Sequence, residues 1–565
     1  MWVLYAGVFL FSFILIARLF SIQVIHGDEY REQAERQYSI GGNGNFDRGS
    51  IFFTEKNGER ISAATVEAGY TIAINPKLIV NAQDVYNKIN SITPLDKISF
   101  LEKTNKKDDP YEEVVKRLDQ EDALSIQKFD ITGVTIEKDK WRLYPGGKTA
   151  AHLLGFVGYK DDMLAGRYGL EAYYDDVLQK NHENLYSNFF AEAFSLSKSF
   201  FEKNGWHEGD VVTSIEPSVQ GFLETSLAGI MKKWNSNLSG GIIMDPKTGE
   251  IYALANAPDF DPNTFGKEKN SSVFLNPIVE STYEMGSIIK PLTMAAGLDA
   301  GVVKPETTYD DKGFVVVDNS TIKNFDGKGR GVVPMQEVLD ESLNTGAVFV
   351  MQKLGKDRFR DYMTRYGLEE ETGIDLPGEV RGSLKNLDEN AKNKRMVEYA
   401  TAAFGQGISM TPIATARALS VLANKGKIVT PYVVKEINYA VGFSRTTVTD
   451  NAKPILRPET SETITRMLVH VVDNSLLGGT VKMEHYSIAA KTGTAQMARE
   501  DGKGYYDDRY LHTFFGYFPA YNPRFIVFLY TKYPKNVKYA AYTLTAPFMD
   551  ITKFLINYYN IPPDR

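Results

Sequence analysis

Tyr283-Glu-Met-Gly-Ser-Ile-Ile-Lys-Pro-Leu-Thr-Met-Ala-Ala-Gly-Leu298 sets a serine between Gly286 and an apolar stretch opened by Pro291, with a lysine three residues after the serine. Proline is tolerated in the first turn of a helix, where its missing N–H would have no partner. A helix beginning at or just before Ser287 therefore puts Ser287 and Lys290 one turn apart on one face. It also puts Ser287 at the positive end of the helix dipole, which favours a developing anion. A serine hydroxyl is a poor nucleophile near neutral pH, and it needs a base within reach and donors aimed at the nascent oxyanion.

Two further motifs follow in order. Ser342-Leu-Asn344 lies between two apolar helical patterns and belongs to a loop joining helices. Lys491-Thr-Gly-Thr494 follows Tyr486-Ser-Ile-Ala-Ala and precedes two strand-like runs, His512-Thr-Phe-Phe-Gly-Tyr-Phe518 and Arg524-Phe-Ile-Val-Phe-Leu-Tyr-Thr531, so its lysine sits on a strand edge. Each motif is weak alone. Ser-x-x-Lys recurs at Ser125–Lys128, Ser195–Lys198 and Ser320–Lys323, and Lys-Thr-Gly recurs at Lys247–Gly249. Lys247–Gly249 lies in Asp-Pro-Lys-Thr-Gly between two apolar runs and reads as a hairpin turn. Ser320 and Lys323 stand among Asp, Asn and Gly and read as a solvated loop. Only the set headed by Ser287 has partners in order, each in a fitting local structure.

At these residues the chain resembles the penicillin-binding protein and serine β-lactamase superfamily, which carries this three-part motif. The resemblance extends to Arg48-Gly-Ser-Ile-Phe52, Trp141-Arg-Leu-Tyr-Pro-Gly-Gly147, Ala151-His-Leu-Leu-Gly-Phe-Val-Gly158 and Gly169-Leu-Glu-Ala-Tyr-Tyr-Asp175, which are similar to the non-catalytic module of class B penicillin-binding proteins. Gly405-Gln-Gly-Ile-Ser-Met-Thr-Pro412 is similar to the segment that the family carries between its second and third motifs. Two departures stand out: Met285 where the family usually has proline, and Phe53-Thr-Glu-Lys-Asn-Gly58 without the usual aspartate.

The resemblance implies a two-step acyl transfer in which Ser287 attacks the peptide bond between two D-alanines of a wall stem peptide. Lys290 is then the base, provided that desolvation and neighbouring cations lower its pKa. The family pattern further implies that Ser342 relays a proton to the leaving amine and that Asn344 holds Lys290 and the substrate amide. Lys491 and Thr492 bind the terminal carboxylate, Gly493 completes the motif, and the backbone N–H groups of Ser287 and Thr494 form the oxyanion hole. No metal or cofactor is required. β-Lactams are expected to acylate the same serine. A serine β-lactamase or β-lactam sensor, a D,D-carboxypeptidase and a non-catalytic scaffold of wall synthesis remain the alternatives. A glycosyltransferase partner in the membrane would supply polymerised glycan. Ser342-Leu-Asn344 resembles division enzymes more than elongation enzymes, in which aspartate often replaces the asparagine.

Composition agrees with a large globular protein: 565 residues, 43% hydrophobic and 24% charged, are enough for two or three domains. A formal net charge of −7 without a basic block argues against nucleic acid. The lack of cysteine rules out disulfides and thiolate metal sites. Met1–Ala17 carries no charge, and with Arg18–Ile25 it is long enough to span a bilayer. Neither the basic start nor the small-residue cleavage site of a signal peptide is evident, so residues 1–25 are expected to be an uncleaved anchor. The catalytic domain then lies outside the membrane, as the resemblance implies.

The expected fold is α/β, with an antiparallel sheet flanked by helices in a transpeptidase domain at 206–565. An α+β pedestal or dimerisation module is expected at 26–205. Within it, Tyr70-Thr-Ile-Ala-Ile74 and Gly133-Val-Thr-Ile136 read as strands, and Tyr111-Glu-Glu-Val-Val-Lys-Arg-Leu118 reads as a charged helix. Helices are expected from about 218 to 234 and from about 546 to 559.

Overall fold

The computed structural model describes residues 46–160, 163–180, 208–388, 395–440, 442–448, 452–500, 502 and 504–565. The expected anchor at 1–25 and the Ser195–Lys198 string lie outside the described residues. Among the described residues, no helix is long and apolar enough to cross a membrane. The chain forms two compact units. Val66–Leu143 makes up most of the smaller one, and Gly49–Thr65, Tyr144–Lys180 and residues from 208 onward make up the larger.

In the larger unit, five strands form one antiparallel sheet in the spatial order Ala489–Ala498, Tyr505–Phe518, Phe525–Lys532, Leu238–Met244, Ile251–Ala257. Its inner strands are apolar at nearly every position because both faces are covered. Phe514 and Val527 face one side and pack with Val219, Leu223 and Phe548, from helices Pro217–Trp234 and Ala540–Tyr558. Their neighbours Phe515 and Phe528 face the other side and join Leu419 and Ile464, from helices Pro412–Ala423 and Pro458–His470. Each such side chain, fully withdrawn from water, contributes roughly 1.5–3 kcal/mol. The result is a helix–sheet–helix sandwich with strand Ala489–Ala498 at one edge. A second, mixed sheet centres on strand Gly209–Thr213, which pairs in parallel with Ile51–Thr54 and antiparallel with Val434–Tyr439.

The smaller unit packs helices Ala82–Asn90, Lys97–Thr104 and Gln120–Gln127 against strands around Ile72, Ile74 and Leu118. Here the expected helix at 111–118 is instead strand Glu112–Leu118, antiparallel to Tyr70–Ile74. Val114 and Val115 favour the pleat, and the waiting strand supplies the partner that an isolated charged helix would lack. Strand Val134–Leu143 agrees with the reading of Gly133-Val-Thr-Ile136.

Three other segments decide what the repeated motifs mean. Lys247-Thr-Gly249 is the turn joining strands Leu238–Met244 and Ile251–Ala257, with Lys247 N donating to Asp245 Oδ1 at 2.7 Å and Gly249 at φ +83°. Ser125 lies on helix Gln120–Gln127. Ser320–Lys323 is a strand and not a loop. It pairs with Phe314–Val317 through a turn in which Asp318 and Asn319 both adopt positive φ, a geometry these residue types tolerate. The final helix begins at Ala540, not near 546, and carries Pro547 in its interior. Burial of Leu544, Phe548 and Ile551 outweighs the one backbone hydrogen bond that the proline removes.

Candidate active site

Gly286–Ile289 forms a single 3₁₀ turn that runs into helix Lys290–Asp299, with Pro291 in its first turn. The turn is clamped from two sides. Gly286 N donates to Gly405 O at 3.1 Å, and Tyr283 and Met410 exchange backbone hydrogen bonds of 2.9 and 3.0 Å. From the sheet, Thr513 Oγ1 donates to Met285 O at 2.9 Å. That last contact passes through the space left by Gly493, where a Cβ would lie 2.3 Å from Thr513 Oγ1 and 2.8 Å from Met285 O. Gly405 is equally constrained: it has φ +80°, and a Cβ there would stand 2.3 Å from Gly286 O. Ser287 is thus held rigidly by its backbone, while its hydroxyl makes no hydrogen bond among the described residues.

Lys290 is buried, at 1% exposure, on the first turn of its helix. Its Nζ donates to Ser342 O at 2.5 Å and to Ser342 Oγ at 3.2 Å. Burial, and secondarily the charge of Lys491, holds its pKa well below the ordinary lysine value. A neutral amine has two N–H bonds. Both are taken up by Ser342, which leaves the lone pair for a proton from elsewhere.

Ser342 is placed by backbone geometry that a serine rarely adopts. It follows helix Met335–Asp340, has φ +54°, and is succeeded by Leu343, whose N–H returns to Val338 O at 3.0 Å. This is a Schellman-type helix end with serine where glycine is usual, at a cost of roughly 1–2 kcal/mol. The strain presents Ser342 Oγ to two lysines at once, for Lys491 Nζ also donates to it at 3.0 Å. Lys491 lies on the edge strand at 3% exposure, and burial lowers its pKa to about 8 against the opposing pull of the Asp340 carboxylate.

Asn344 opens helix Asn344–Leu354, and its Nδ2 donates to Lys323 O at 2.8 Å. The expected contact between Asn344 and Lys290 is not made: Ser342 takes both donors of the lysine, and strand Ser320–Lys323 takes the amide of Asn344. Thr492 and Thr494 line the cleft, and Thr494 Oγ1 accepts from Ala540 N at 3.0 Å, which ties the edge strand to the last helix. The cleft has a volume of about 810 Å³ and brings Ser287, Ser342, Asn344, Lys491, Thr492 and Thr494 to one surface. That size suits a peptide-like ligand. Among the described residues, no cluster of His, Cys, Asp or Glu is placed to hold a metal ion.

Sequence reasoning missed two supports. Thr513 is a buried hydroxyl directly before the apolar run Phe514–Phe518, and that placement was the available signal. Asp340, whose carboxylate accepts from Gln336 Nε2 at 2.9 Å and His470 Nδ1 at 3.1 Å, had no local signal at all.

The model of the penicillin-binding protein transpeptidase domain matches residues 240–553, and that of the penicillin-binding protein dimerisation domain matches 47–184. Stage V sporulation protein D of Bacillus subtilis is 31% identical over 97% of this chain and 83% of its own length. Penicillin-binding protein PbpB of Mycobacterium tuberculosis is 27% identical over 99% of this chain and 84% of its own. The crystal structure of penicillin-binding protein 3 from M. tuberculosis complexed with aztreonam superposes with a TM-score of 0.69 at 23% identity, covering 92% of this chain and 98% of that one. The fold, the two matched domains and the nearly full-length relative therefore agree, and the chain belongs to the penicillin-binding protein transpeptidase family.

Proposed function

We propose that this protein is a serine-type peptidoglycan D,D-transpeptidase that cross-links stem peptides through an acyl-enzyme on Ser287 and is acylated there by β-lactams. The observation that carries the proposal is the arrangement of Lys290: buried, with a lowered pKa, and with both amine hydrogens taken by Ser342 beside the Ser287 turn. Lys290 removes the Ser287 proton during attack. Ser342, hydrogen-bonded to both lysines, returns a proton to the departing D-alanine amine. Lys491 and Thr492 bind the terminal carboxylate through a charge-assisted contact. Asn344 holds the donor amide, Gly493 admits Thr513 to the serine turn, and the N–H groups of Ser287 and Thr494 stabilise the oxyanion.

Of the carboxylates lining the cleft, Asp340 accepts from Gln336 and His470, and Glu341 accepts from Arg330 Nη2 at 3.1 Å. The relatives include proteins named peptidoglycan D,D-transpeptidase FtsI from Buchnera aphidicola and its homolog from Mesostigma viride, in line with a septal role. In the division proposed here, residues 1–25 anchor the protein as a single membrane span, 26–205 form the pedestal and 206–565 catalyse outside the membrane. A membrane glycosyltransferase and other wall-synthesis proteins are the proposed partners. Incubation with a D-Ala-D-Ala-terminated donor and an amine acceptor, read by mass spectrometry, tests the reaction. A cross-linked product is expected, whereas a purely hydrolysed donor would make the protein a carboxypeptidase.

A further inference from the structure

Helix Asn344–Leu354 begins without a side-chain cap of its own, because the capping position is Leu343. Its first turn is capped from elsewhere. Asn324 Oδ1 accepts from Thr345 N at 3.2 Å and lies 3.1 Å from Thr345 Oγ1. The preceding residue of the same strand end, Lys323, accepts the amide of Asn344 through its carbonyl at 2.8 Å. Both interactions depend on where residues 323 and 324 are held: pairing of Lys323 with Phe314 and the bond from Asn324 N to Gly313 O at 3.0 Å fix the main chain, and Asp311 fixes the Asn324 side chain.

Asp311 is 1% exposed and has no cationic partner among its hydrogen bonds. Its Oδ1 accepts from Gly313 N at 3.0 Å, Thr345 Oγ1 at 2.8 Å and Asn324 Nδ2 at 3.0 Å. Its Oδ2 accepts from Asn324 Nδ2 at 3.0 Å and Arg330 N at 3.0 Å. A buried carboxylate is costly unless hydrogen bonds compensate it, and here every compensating donor comes from the 313–330 loop or from the helix that Asn344 opens. The carboxylate is an acceptor only, so it forces Asn324 to turn its NH₂ inward and its Oδ1 toward Thr345. An amide in its place would bring a donor against donors.

We propose that Asp311 is a positioning residue for Asn344: through Asn324 and Thr345 it sets the register between strand Ser320–Lys323 and the start of helix Asn344–Leu354, and so aims the Asn344 side chain at the acyl group of the substrate. The inference rests on the acyl-transfer reading above. It differs from a role in stability because its consequence is confined to donors that carry an amide for Asn344 to hold.

The test measures second-order acylation of the full chain by benzylpenicillin, which has a side-chain amide, and by 6-aminopenicillanic acid, which lacks it. Labelling of Ser287 in the unaltered protein checks the acyl-transfer reading independently. Asp311→Asn and Asn324→Ala are expected to lose about tenfold with benzylpenicillin, roughly one hydrogen bond, and to leave 6-aminopenicillanic acid acylation near that of the unaltered protein. The loss should appear in the binding constant more than in the acylation step. Asp311→Asn combined with Asn344→Ala should be no slower than Asn344→Ala alone. Equal losses with both compounds in both variants, or additive losses in the double variant, would overturn the proposal.

Discussion

Lys290 and Lys491 share one acceptor: both side-chain nitrogens lie within hydrogen-bond distance of Ser342 Oγ, at 3.2 and 3.0 Å. Two buried amines this close repel each other as cations, so one tends to be neutral. Burial acts on both, but the Lys491 charge lowers Lys290 further while Asp340 opposes burial at Lys491, so Lys290 is the one that gives up its proton more readily. In the proposed mechanism the pair thus supplies a base and a carboxylate-binding cation from identical side chains.

Acylation by a carboxylate-bearing β-lactam should follow a bell-shaped pH profile. The acid limb is protonation of Lys290, and the alkaline limb, near pH 8, is loss of the Lys491 charge. Rates measured with the methyl ester of the same compound should keep the acid limb and lose the alkaline one. An alkaline limb that persists with the ester would remove Lys491 from carboxylate binding.

The same lysines lower stability. Lys491 titrates near 8 in the folded protein against an ordinary 10.5, so the unfolded chain holds the proton more tightly. The penalty is fully present below pH 8 and is relieved as pH rises toward 10.5. Lys290→Met should abolish acylation and stabilise the fold at pH 7 by about 1 kcal/mol or more, seen as a higher Tm.

Ser342 at φ +54° separates chemistry from strain. Ser342→Gly and Ser342→Ala both remove the hydroxyl and should slow acylation alike. Only the glycine variant relaxes the backbone, and it should be more stable than the alanine variant by about 1 kcal/mol in urea unfolding. Equal stabilities would mean that the left-handed residue is not strained.

Gly493→Ala places a methyl group into the Thr513–Met285 contact. The serine turn must shift, and a displacement of about 1 Å at a nucleophile costs on the order of 100-fold. Acylation should fall by about that factor, with a stability loss of roughly 1–3 kcal/mol. Unchanged acylation would show that the turn is not held through this contact.

How far the sequence reveals the molecule differs from element to element. The strand-like runs at 512–518 and 524–531 were plain because burial on both faces leaves long apolar runs, whereas the polar first half of strand Tyr505–Phe518 gave no such run, and the helix expected from about 218 begins at Pro217. The charged strand at 112–118 and the true start of the last helix were not, since in both cases packing overrides local preference. In the site, Ser287, Lys290, Ser342 and Lys491 were legible from motif order. The partner of Asn344 was not, because it depends on a carbonyl of Lys323 brought in by a hairpin whose residues look like solvated loop. Gly405 stood out in the sequence, but its reason, the approach to Gly286, is purely tertiary.

The central claim is that Ser287 is the acylated nucleophile of a slow-releasing penicillin target. Labelling with a fluorescent penicillin, followed by mass spectrometry of the labelled peptide and by loss of label over time, tests it most directly. Long-lived label on Ser287, abolished in Ser287→Ala while the variant stays folded, is the expected result. Label that survives Ser287→Ala, or that is released within seconds as a β-lactamase would release it, would contradict the account.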